Sequence, residues 1–338
     1  KTLTVSGTTV ADKTYDGTNA ATISALGALT GIVGSDAVSL AGGSSAVFTN
    51  GVNVACSTTC NGSNVIAQGI TLSMSLTGSA ASNYSLTLPT VTAKINPLAL
   101  TVSGTVVADK VYDGNTTAAY SNLGSLVGVL AADTNYVAIN NGSTATFASA
   151  NVALSSGSVT SQAVTTALSL SAGTAGNRTA NYSLTQPSNI TATITPKALT
   201  VTGTVVADKT YNGNTVGTLT TAGSLAGFIA GDLSGLTLVT SGASANFASA
   251  NVAYTVANTT INDATPGTVA AQNVNIAGMS LSGSKATNYN LTQPIVTAKI
   301  NPAALTMTAV DTSGLPGAIP ANFTATYSGF VNGESAAN

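Results

Sequence analysis

Apolar residues alternate with small polar residues along most of the chain. The alternation is clear at residues 71–76, 85–88 and 167–171. A period of two residues is typical of β-strands with one buried face. Gly, Asn and Ser clusters separate these segments at intervals of roughly 8–12 residues, the spacing expected of an antiparallel β-sandwich. No segment has the apolar spacing of an amphipathic helix. The sequence therefore predicts an all-β fold.

The pattern also repeats along the chain. Three copies of Ala-Asp-Lys-x-Tyr-Asp/Asn-Gly carry their tyrosines at Tyr15, Tyr112 and Tyr211. Each copy later closes on Asn-Tyr-x-Leu, which begins at Asn83, Asn181 and Asn288. The predicted repeats are residues 1–97, 98–196 and 197–302, followed by an incomplete one at 303–338. A unit of about 100 residues can hold its own core, so we expect tandem immunoglobulin-like or Greek-key sandwiches.

The predicted junctions between repeats are short and contain proline. Pro97, Pro196 and Pro302 each lie between the last strand of one repeat and the first strand of the next. Proline fixes its own φ and keeps the preceding residue extended. We therefore expect stiff junctions and an extended rod. Because the first residue lies within the repeat pattern and the last stops partway through it, we also expect a segment of a longer protein.

Composition excludes several function classes. Only 6% of the 338 residues are charged, with nine Lys and Arg against eleven Asp and Glu, and there is no His. Nucleic-acid binding needs a dense basic surface, which this chain cannot form. Without His there is no imidazole base. No apolar run reaches the length of about 18 residues that spans a bilayer. We expect no enzyme activity, no cofactor, no nucleic-acid partner and no membrane insertion by this segment.

The repeated Tyr-Asp-Gly segment has two interpretations. Its residues are Tyr15, Asp16, Gly17, Tyr112, Asp113, Gly114, Tyr211, Asn212 and Gly213. The favoured prediction is a hairpin turn, in which Asp or Asn before Gly accepts a positive φ. The alternative is a calcium site that uses the carboxylates of Asp12, Asp16, Asp109 and Asp113. The Asn in the third copy favours the turn, because Asp and Asn are interchangeable in a turn but not as calcium ligands.

Other repeated side chains also leave alternatives open. The tyrosines of both motifs are predicted to pack in the core or at repeat junctions, and the alternative is a glycan-stacking surface. Asp36, Asp133 and Asp232 are predicted as turn or strand-start residues, with one acid of a catalytic pair as the alternative. Lys13, Lys110 and Lys209 suit solvated ion pairs or, alternatively, isopeptide crosslinks.

Cys56 and Cys60 are the only cysteines. No further Cys or any His is present to complete a tetrahedral metal site. We therefore predict a short-loop disulfide, which implies an oxidising compartment.

Two family resemblances follow from these motifs. The Ala-Asp-Lys-x-Tyr-Asp-Gly segment, the later Phe48, Phe147 and Phe247 and the closing Asn-Tyr-x-Leu resemble the YDG repeat of large bacterial adhesins similar to filamentous haemagglutinin. Residues 323–334 resemble the opening of an MBG repeat, whose name records a suggested glycan-binding role. The third copy departs from the YDG pattern at Asn212. The resemblance implies an extracellular adhesin shaft and supplies no catalytic residue.

Together these observations predict a structural stalk or filament segment of a secreted bacterial adhesin, which supports cell-surface adhesion or biofilm formation. Its expected partners are like chains, because near-neutral surfaces repel one another weakly. The alternative is an array of repeats that binds glycan or mucin through avidity.

Overall fold

The structure is a computed structural model that describes residues 1–58, 60, 64–255, 267–310, 317 and 324–337. The chain divides into two compact units. Unit 1 comprises Lys1–Lys110, Thr116–Ser149 and Thr160–Thr193, and unit 2 comprises Val111–Asn115, Ala150–Val159 and Ile194–Asn338. Among the described residues, no helix has the length and apolar character needed to cross a bilayer.

Each of the three repeats contains a three-stranded sheet built around its first strand, which we call the opening strand. The opening strands are Thr2–Ser6, Leu98–Ser103 and Lys197–Thr202. Each pairs in antiparallel fashion with a turning strand, which is Ala28–Thr30, Ser125–Val127 or Ser224–Ala226. On its other side it pairs in parallel with a closing strand, which is Ser85–Thr87, Tyr182–Leu184 or Tyr289–Thr292.

A second, larger sheet faces the core of each repeat. In the first repeat its strands are Ala20–Ala21, Ser45–Phe48, Gln68–Ser73 and Val91–Ala93. In the second they are Thr117–Ala118, Thr144–Phe147, Gln162–Ala167 and Thr191–Ala192. In the third they are Val216–Gly217, Ser244–Phe247, Ala271–Ala277 and Ile295–Asn301, with Lys209–Thr210 added in parallel.

Short strands and 3-10 helices complete the repeats. The paired short strands are Thr9–Val10 with Ile23–Ala25, Lys13–Thr14 with Ile95–Asn96, Ser39–Leu40 with Leu76–Thr77, Val106–Val107 with Tyr120–Asn122, Val137–Ile139 with Leu170–Ala172, Leu154–Ser155 with Ser158–Val159, Val205–Val206 with Leu219–Thr221, and Thr237–Val239 with Ser280–Ser282. Lys110–Val111 and Ile194–Thr195 are further short strands. The 3-10 helices are Ala81–Asn83, Ala131–Asp133, Thr179–Asn181, Ala230–Gly235 and Ala286–Asn288. In the last segment, Thr306–Ala309 pairs in antiparallel fashion with Ala325–Ser328.

The prediction of an all-β fold is confirmed, and most strand pairs are antiparallel, as the spacing of the segments indicated, but each repeat also contains parallel pairs. The opening and closing strands run parallel in every repeat, for example Leu3 beside Leu86. Parallel neighbours need a long crossover connection, and here nearly the whole repeat lies between the two strands. Local spacing of apolar residues carries no information about strand direction, so the sequence could not reveal this pairing.

Alternating burial explains why these segments form half-buried strands. Leu3, Leu100 and Leu199 lie within their opening strands and are fully buried, whereas the adjacent residues of those strands are exposed. In the larger sheets, Phe147 and Phe247 are only 2% and 3% exposed. Burying such side chains is the main favourable contribution to folding of a small β-domain.

Replacing Phe247 by Ala should therefore lower the free energy of unfolding of the third repeat by about 3–5 kcal/mol, because it leaves a cavity in the core. Val216→Thr is the matched control, since Val216 lies on the neighbouring strand and is 64% exposed. The control should change stability by less than about 0.5 kcal/mol. Chemical denaturation followed by circular dichroism measures both, and equal effects would contradict the assigned core.

Candidate functional site

The Ala-Asp-Lys-x-Tyr-Asp-Gly segment is anchored to its own repeat by its first aspartate. Asp12 Oδ1 accepts a hydrogen bond of 2.7 Å from the Lys94 backbone N–H. In the second repeat Asp109 accepts from the Thr193 N–H, and in the third Asp208 accepts from the Lys299 N–H. The carboxylate therefore ties the segment to the last part of the same repeat, and it does so in all three copies.

The lysine of the segment holds the following turn. Lys13 Nζ donates to the Thr18 and Ala20 carbonyl oxygens at 3.0 and 3.1 Å, and it lies 2.6 Å from Asp16 Oδ1. Lys209 makes the same contacts with the carbonyl oxygens of Asn214 and Val216. These lysines therefore hold the turn of their own repeat through hydrogen bonds, and Lys13 also forms an ion pair with the exposed Asp16.

The Asp-Gly turn exists but is not a hairpin. Gly17 has φ +77°, and the Thr18 N–H donates to Asp16 Oδ1 at 2.9 Å. The strands on either side of it, Lys13–Thr14 and Ala20–Ala21, belong to different sheets. The hairpin prediction is therefore wrong, and so is the expected positive φ at the aspartate, because among the described Tyr-Asp/Asn-Gly residues only the glycines adopt it.

The aspartates proposed as calcium ligands are engaged by protein donors. Asp12 and Asp109 accept backbone N–H groups, Asp16 contacts Lys13 and Thr18, and Asp113 accepts from the Asn115 N–H. Within the described part of the chain, no three residues of the types His, Cys, Asp and Glu come together as a metal site would require. The geometry favours the turn over the calcium site.

Tyr15 connects the first repeat to the second within unit 1. Its hydroxyl donates to Asp133 Oδ2 at 2.7 Å, and the Tyr182 hydroxyl donates to the same oxygen at 2.8 Å. The two rings meet edge to face with their centroids 5.5 Å apart. Tyr15 and Tyr182 are each 2% exposed and Asp133 is 1% exposed. We call this contact the tyrosine–aspartate junction.

Two further contacts complete the junction in unit 1. Arg178, the single arginine of the chain, forms an ion pair with Asp133 Oδ1. Asn181 Oδ1 accepts from the Val54 backbone N–H at 2.9 Å, and its amide donates to the Asn53 side chain at the same distance. Apolar residues of both repeats form one continuous buried cluster around these polar groups. Every buried polar group of the junction therefore has a partner, as a stable polar network requires.

Unit 2 contains a second tyrosine–aspartate junction with the same geometry. Tyr112 and Tyr289 both donate to Asp232 Oδ2 at 2.7 Å, with ring centroids 5.4 Å apart. Lys285 Nζ lies 3.7 Å from Asp232 Oδ1 in the place of the arginine. Asn288 Oδ1 accepts from the Val152 N–H at 2.9 Å. The same interaction is therefore built twice from corresponding residues.

The third copy uses a different acid. The Tyr211 hydroxyl donates to Glu334 Oε1, on the segment that follows the third repeat. Asp36, the counterpart of Asp133 in the first repeat, is exposed and accepts from the Tyr84 hydroxyl at 2.7 Å. Asp133 and Asp232 are therefore junction acceptors rather than turn residues alone, and the sequence did not predict this. Their recurrence was visible in the sequence, but one of the two tyrosines that each aspartate binds is more than a hundred residues away.

The buried carboxylates have unusual electrostatics. Burial alone would raise the pKa of the Asp133 carboxyl, but the hydrogen bonds from the two tyrosines and the guanidinium outweigh burial and lower that pKa. The pKa of the Asp232 carboxyl is lowered in the same way. Burial, followed by the hydrogen bond to Asp133, raises the pKa of Tyr15 to about 12. At neutral pH the junction therefore holds one carboxylate and two neutral phenols.

Cys56 and Cys60 form a disulfide with their Cα atoms 5.4 Å apart. Both cysteines are partly buried and pack against the buried cluster of unit 1. The bridge closes a short loop on the first repeat alone, as its position in the sequence indicated.

Replacing Tyr15 by Phe removes one donor and leaves the ring. We expect a loss of about 1.5–3 kcal/mol in the free energy of unfolding of unit 1, because the lost hydrogen bond goes to a buried charge. Tyr84→Phe is the control, since its bond to Asp36 is exposed and should cost less than about 1 kcal/mol.

Tyr15→Phe should also change how the free energy of unfolding depends on alkaline pH. The contribution of Tyr15 to the free energy of unfolding is fully present below the tyrosine pKa of about 10 in the unfolded chain. It is lost as pH rises through the folded pKa of about 12. The Tyr15→Phe variant should lack this loss. Denaturation at increasing pH measures it, and identical profiles for wild type and variant would contradict the junction.

Asp133→Asn tests the acid side of the junction. The folded pKa of Asp133 lies below the unfolded value, so its contribution is present above about pH 4 and is lost as pH falls through the folded pKa. At neutral pH the free energy of unfolding of the wild type should exceed that of the variant by about 1–3 kcal/mol. The difference should be smaller at acidic pH. Asp36→Asn is the matched control, because Asp36 is the exposed counterpart of Asp133, and at neutral pH it should cost less than about 1 kcal/mol. A constant difference across pH would rule out the ionised carboxylate.

Comparison with protein-family models gives a match. The model of the YDG domain family matches residues 1–93 and 96–190, which is more than half of the chain. No curated protein and no solved structure matches. The matched ranges contain Tyr15 and Tyr112 and the acceptor Asp133, and the third repeat, outside the matched ranges, has the same strand pairing. The chain belongs to the YDG domain family.

Proposed function

We propose that the chain is a non-enzymatic stalk segment of a secreted bacterial adhesin similar to filamentous haemagglutinin, and that it acts by holding consecutive repeats in fixed register. The observation that carries this proposal is the tyrosine–aspartate junction. In it, a buried carboxylate of one repeat accepts a hydrogen bond from a tyrosine hydroxyl of the preceding repeat. Fully satisfied buried polar networks specify one arrangement and resist bending. A spacer that transmits position or load needs that property.

The same observation favours the stalk over a glycan-binding array. A sugar-stacking surface requires exposed aromatic faces. Tyr15 and Tyr112 are each only 2% exposed, and their rings pack on the tyrosines of the next repeat. The tyrosines that the array would use are therefore committed to holding the repeats together.

Location and partners belong to the same proposal. The Cys56–Cys60 disulfide suits an oxidising, extracellular compartment. A net charge of −2 over 338 residues gives little repulsion between like chains, so we propose side-by-side association in cell-surface filaments or biofilm. We further propose that residues 303–338 open an MBG-type repeat. Of the residues that carry this resemblance, Phe323 lies outside the described part of the chain.

Small-angle X-ray scattering of the purified chain tests the stalk. We expect an elongated particle with a narrow distribution of dimensions, and a broader distribution for Tyr112→Ala, which removes a junction tyrosine. Tyr254→Ala is the control, because Tyr254 is an exposed tyrosine. A scattering curve typical of freely hinged domains in the wild type would contradict the stalk.

Titration of the chain against a glycan panel distinguishes the stalk from the glycan-binding array. The stalk predicts no saturable binding, whereas saturable binding that free sugar displaces would favour the array. Scattering at increasing protein concentration reports association of like chains in the same samples.

A further inference from the structure

The segment after the third repeat exposes apolar residues at positions that are buried or half-buried in the three preceding repeats. Leu305 corresponds in sequence to Leu100 and Leu199, which are fully buried in their opening strands. Leu305 is 52% exposed, and Met307, two residues later, is 65% exposed. The strand therefore has the apolar pattern of an opening strand but presents that face to solvent.

Among the described residues, the strand Thr306–Ala309 is paired along one edge only. Thr306–Ala309 pairs with Ala325–Ser328, as each opening strand pairs with its turning strand. In the three repeats the other edge of the opening strand also pairs, in parallel, with a closing strand that follows the Asn-Tyr pair. Among the described residues no strand takes that place beside Thr306–Ala309. An open edge is a template for pairing with another strand.

A cavity of about 370 Å³ in unit 2 adjoins the start of this strand, because Leu305, the residue before Thr306, lies in its lining. Its lining includes Val252, Leu305, Val331 and Glu334. In the two complete junctions, the counterparts of these groups contact the Asn-Tyr pair. Val54 and Val152 donate to its asparagine, Leu130 and Ile229 donate to its tyrosine hydroxyl, and Asp133 and Asp232 accept from that hydroxyl. The cavity therefore displays the donor and acceptor groups that an Asn-Tyr pair engages elsewhere in this chain.

The acceptor at the cavity has capacity for a second donor. Asp133 and Asp232 each accept two tyrosine hydroxyls on one oxygen. Glu334 accepts one tyrosine hydroxyl, from Tyr211, among the described residues. An ionised carboxylate has about four acceptor positions, so a second phenol fits without displacing the first.

We propose that the cavity and the unpaired edge of Thr306–Ala309 together form a groove that binds an extended polypeptide strand with the sequence Asn-Tyr-x-Leu. The bound strand adds in parallel to Thr306–Ala309 and places its tyrosine hydroxyl on Glu334. The groove is continuous with the contact between Tyr211 and Glu334, and strand addition supplies main-chain hydrogen bonds while the cavity selects the side chains. The occupant is a strand that is not already paired, because the closing strands of a second copy are held inside their own repeats. The proposal does not depend on the adhesin role.

The test uses the whole chain and a synthetic peptide of residues 286–295, which contains the third Asn-Tyr-x-Leu motif. We expect saturable binding by calorimetry and protection of the Thr306–Ala309 amides against hydrogen exchange. Tyr289→Phe in the peptide should weaken binding about tenfold, because it removes a hydrogen bond to a charge. This change leaves the protein untouched, so misfolding cannot explain a loss.

Two protein variants and a tethered form complete the design. Glu334→Gln should weaken binding by a similar factor, whereas Val216→Thr, on an exposed strand of the third repeat, should not change it. Joining the peptide to the end of the chain through a flexible linker raises its effective concentration and should protect the same amides. If those amides stay unprotected with both free and tethered peptide, or if the Tyr289→Phe peptide binds equally well, the proposal is overturned. The stalk proposal is tested by scattering and is unaffected by either outcome.

Discussion

In each of the two units, a buried carboxylate shared by two tyrosines of consecutive repeats holds those repeats together. Placing a charge in the interior is costly unless it is paired and hydrogen-bonded. Asp133 meets that condition only when Tyr15 of the preceding repeat, Tyr182 of its own repeat and Arg178 are all in place. Removing one partner leaves a buried charge poorly compensated. The register between repeats is therefore coupled to the stability of each one.

The repeated motif serves this carboxylate through a division of roles. Asp12 fixes the segment to its own repeat, Lys13 holds the turn, and Tyr15 reaches the next repeat. Gly17 adopts a positive φ, and a Cβ atom there would lie 3.4 Å from Leu130 of the second repeat. The motif therefore connects two repeats, and each of its side chains has a contact within the protein. In unit 2 the same roles recur, with Lys285 in place of arginine.

The first repeat and the segment after the third repeat differ from the two tyrosine–aspartate junctions. Asn181 and Asn288 are almost fully buried because a neighbouring repeat supplies a backbone N–H. Asn83 and Asp36, at the corresponding positions of the first repeat, are exposed. Glu334 takes the acceptor role after the third repeat although the surrounding sequence differs. In all three copies the motif tyrosine therefore donates to a carboxylate. That carboxylate belongs to an aspartate in two copies and to a glutamate in the third.

The sequence alone indicated the β-class and the alternation of buried and exposed residues in the opening strands, because alternation is a local property of a chain. It also indicated that the tyrosines are packed residues. Only the tertiary structure decided that Tyr15 pairs with Asp133, that opening and closing strands run parallel, and that the Asp-Gly turn links different sheets. These features depend on groups that are distant in sequence, and a hydrogen bond over such a separation leaves no periodic signal. Local propensity specifies the strands, whereas the burial of a shared charge specifies how the repeats meet.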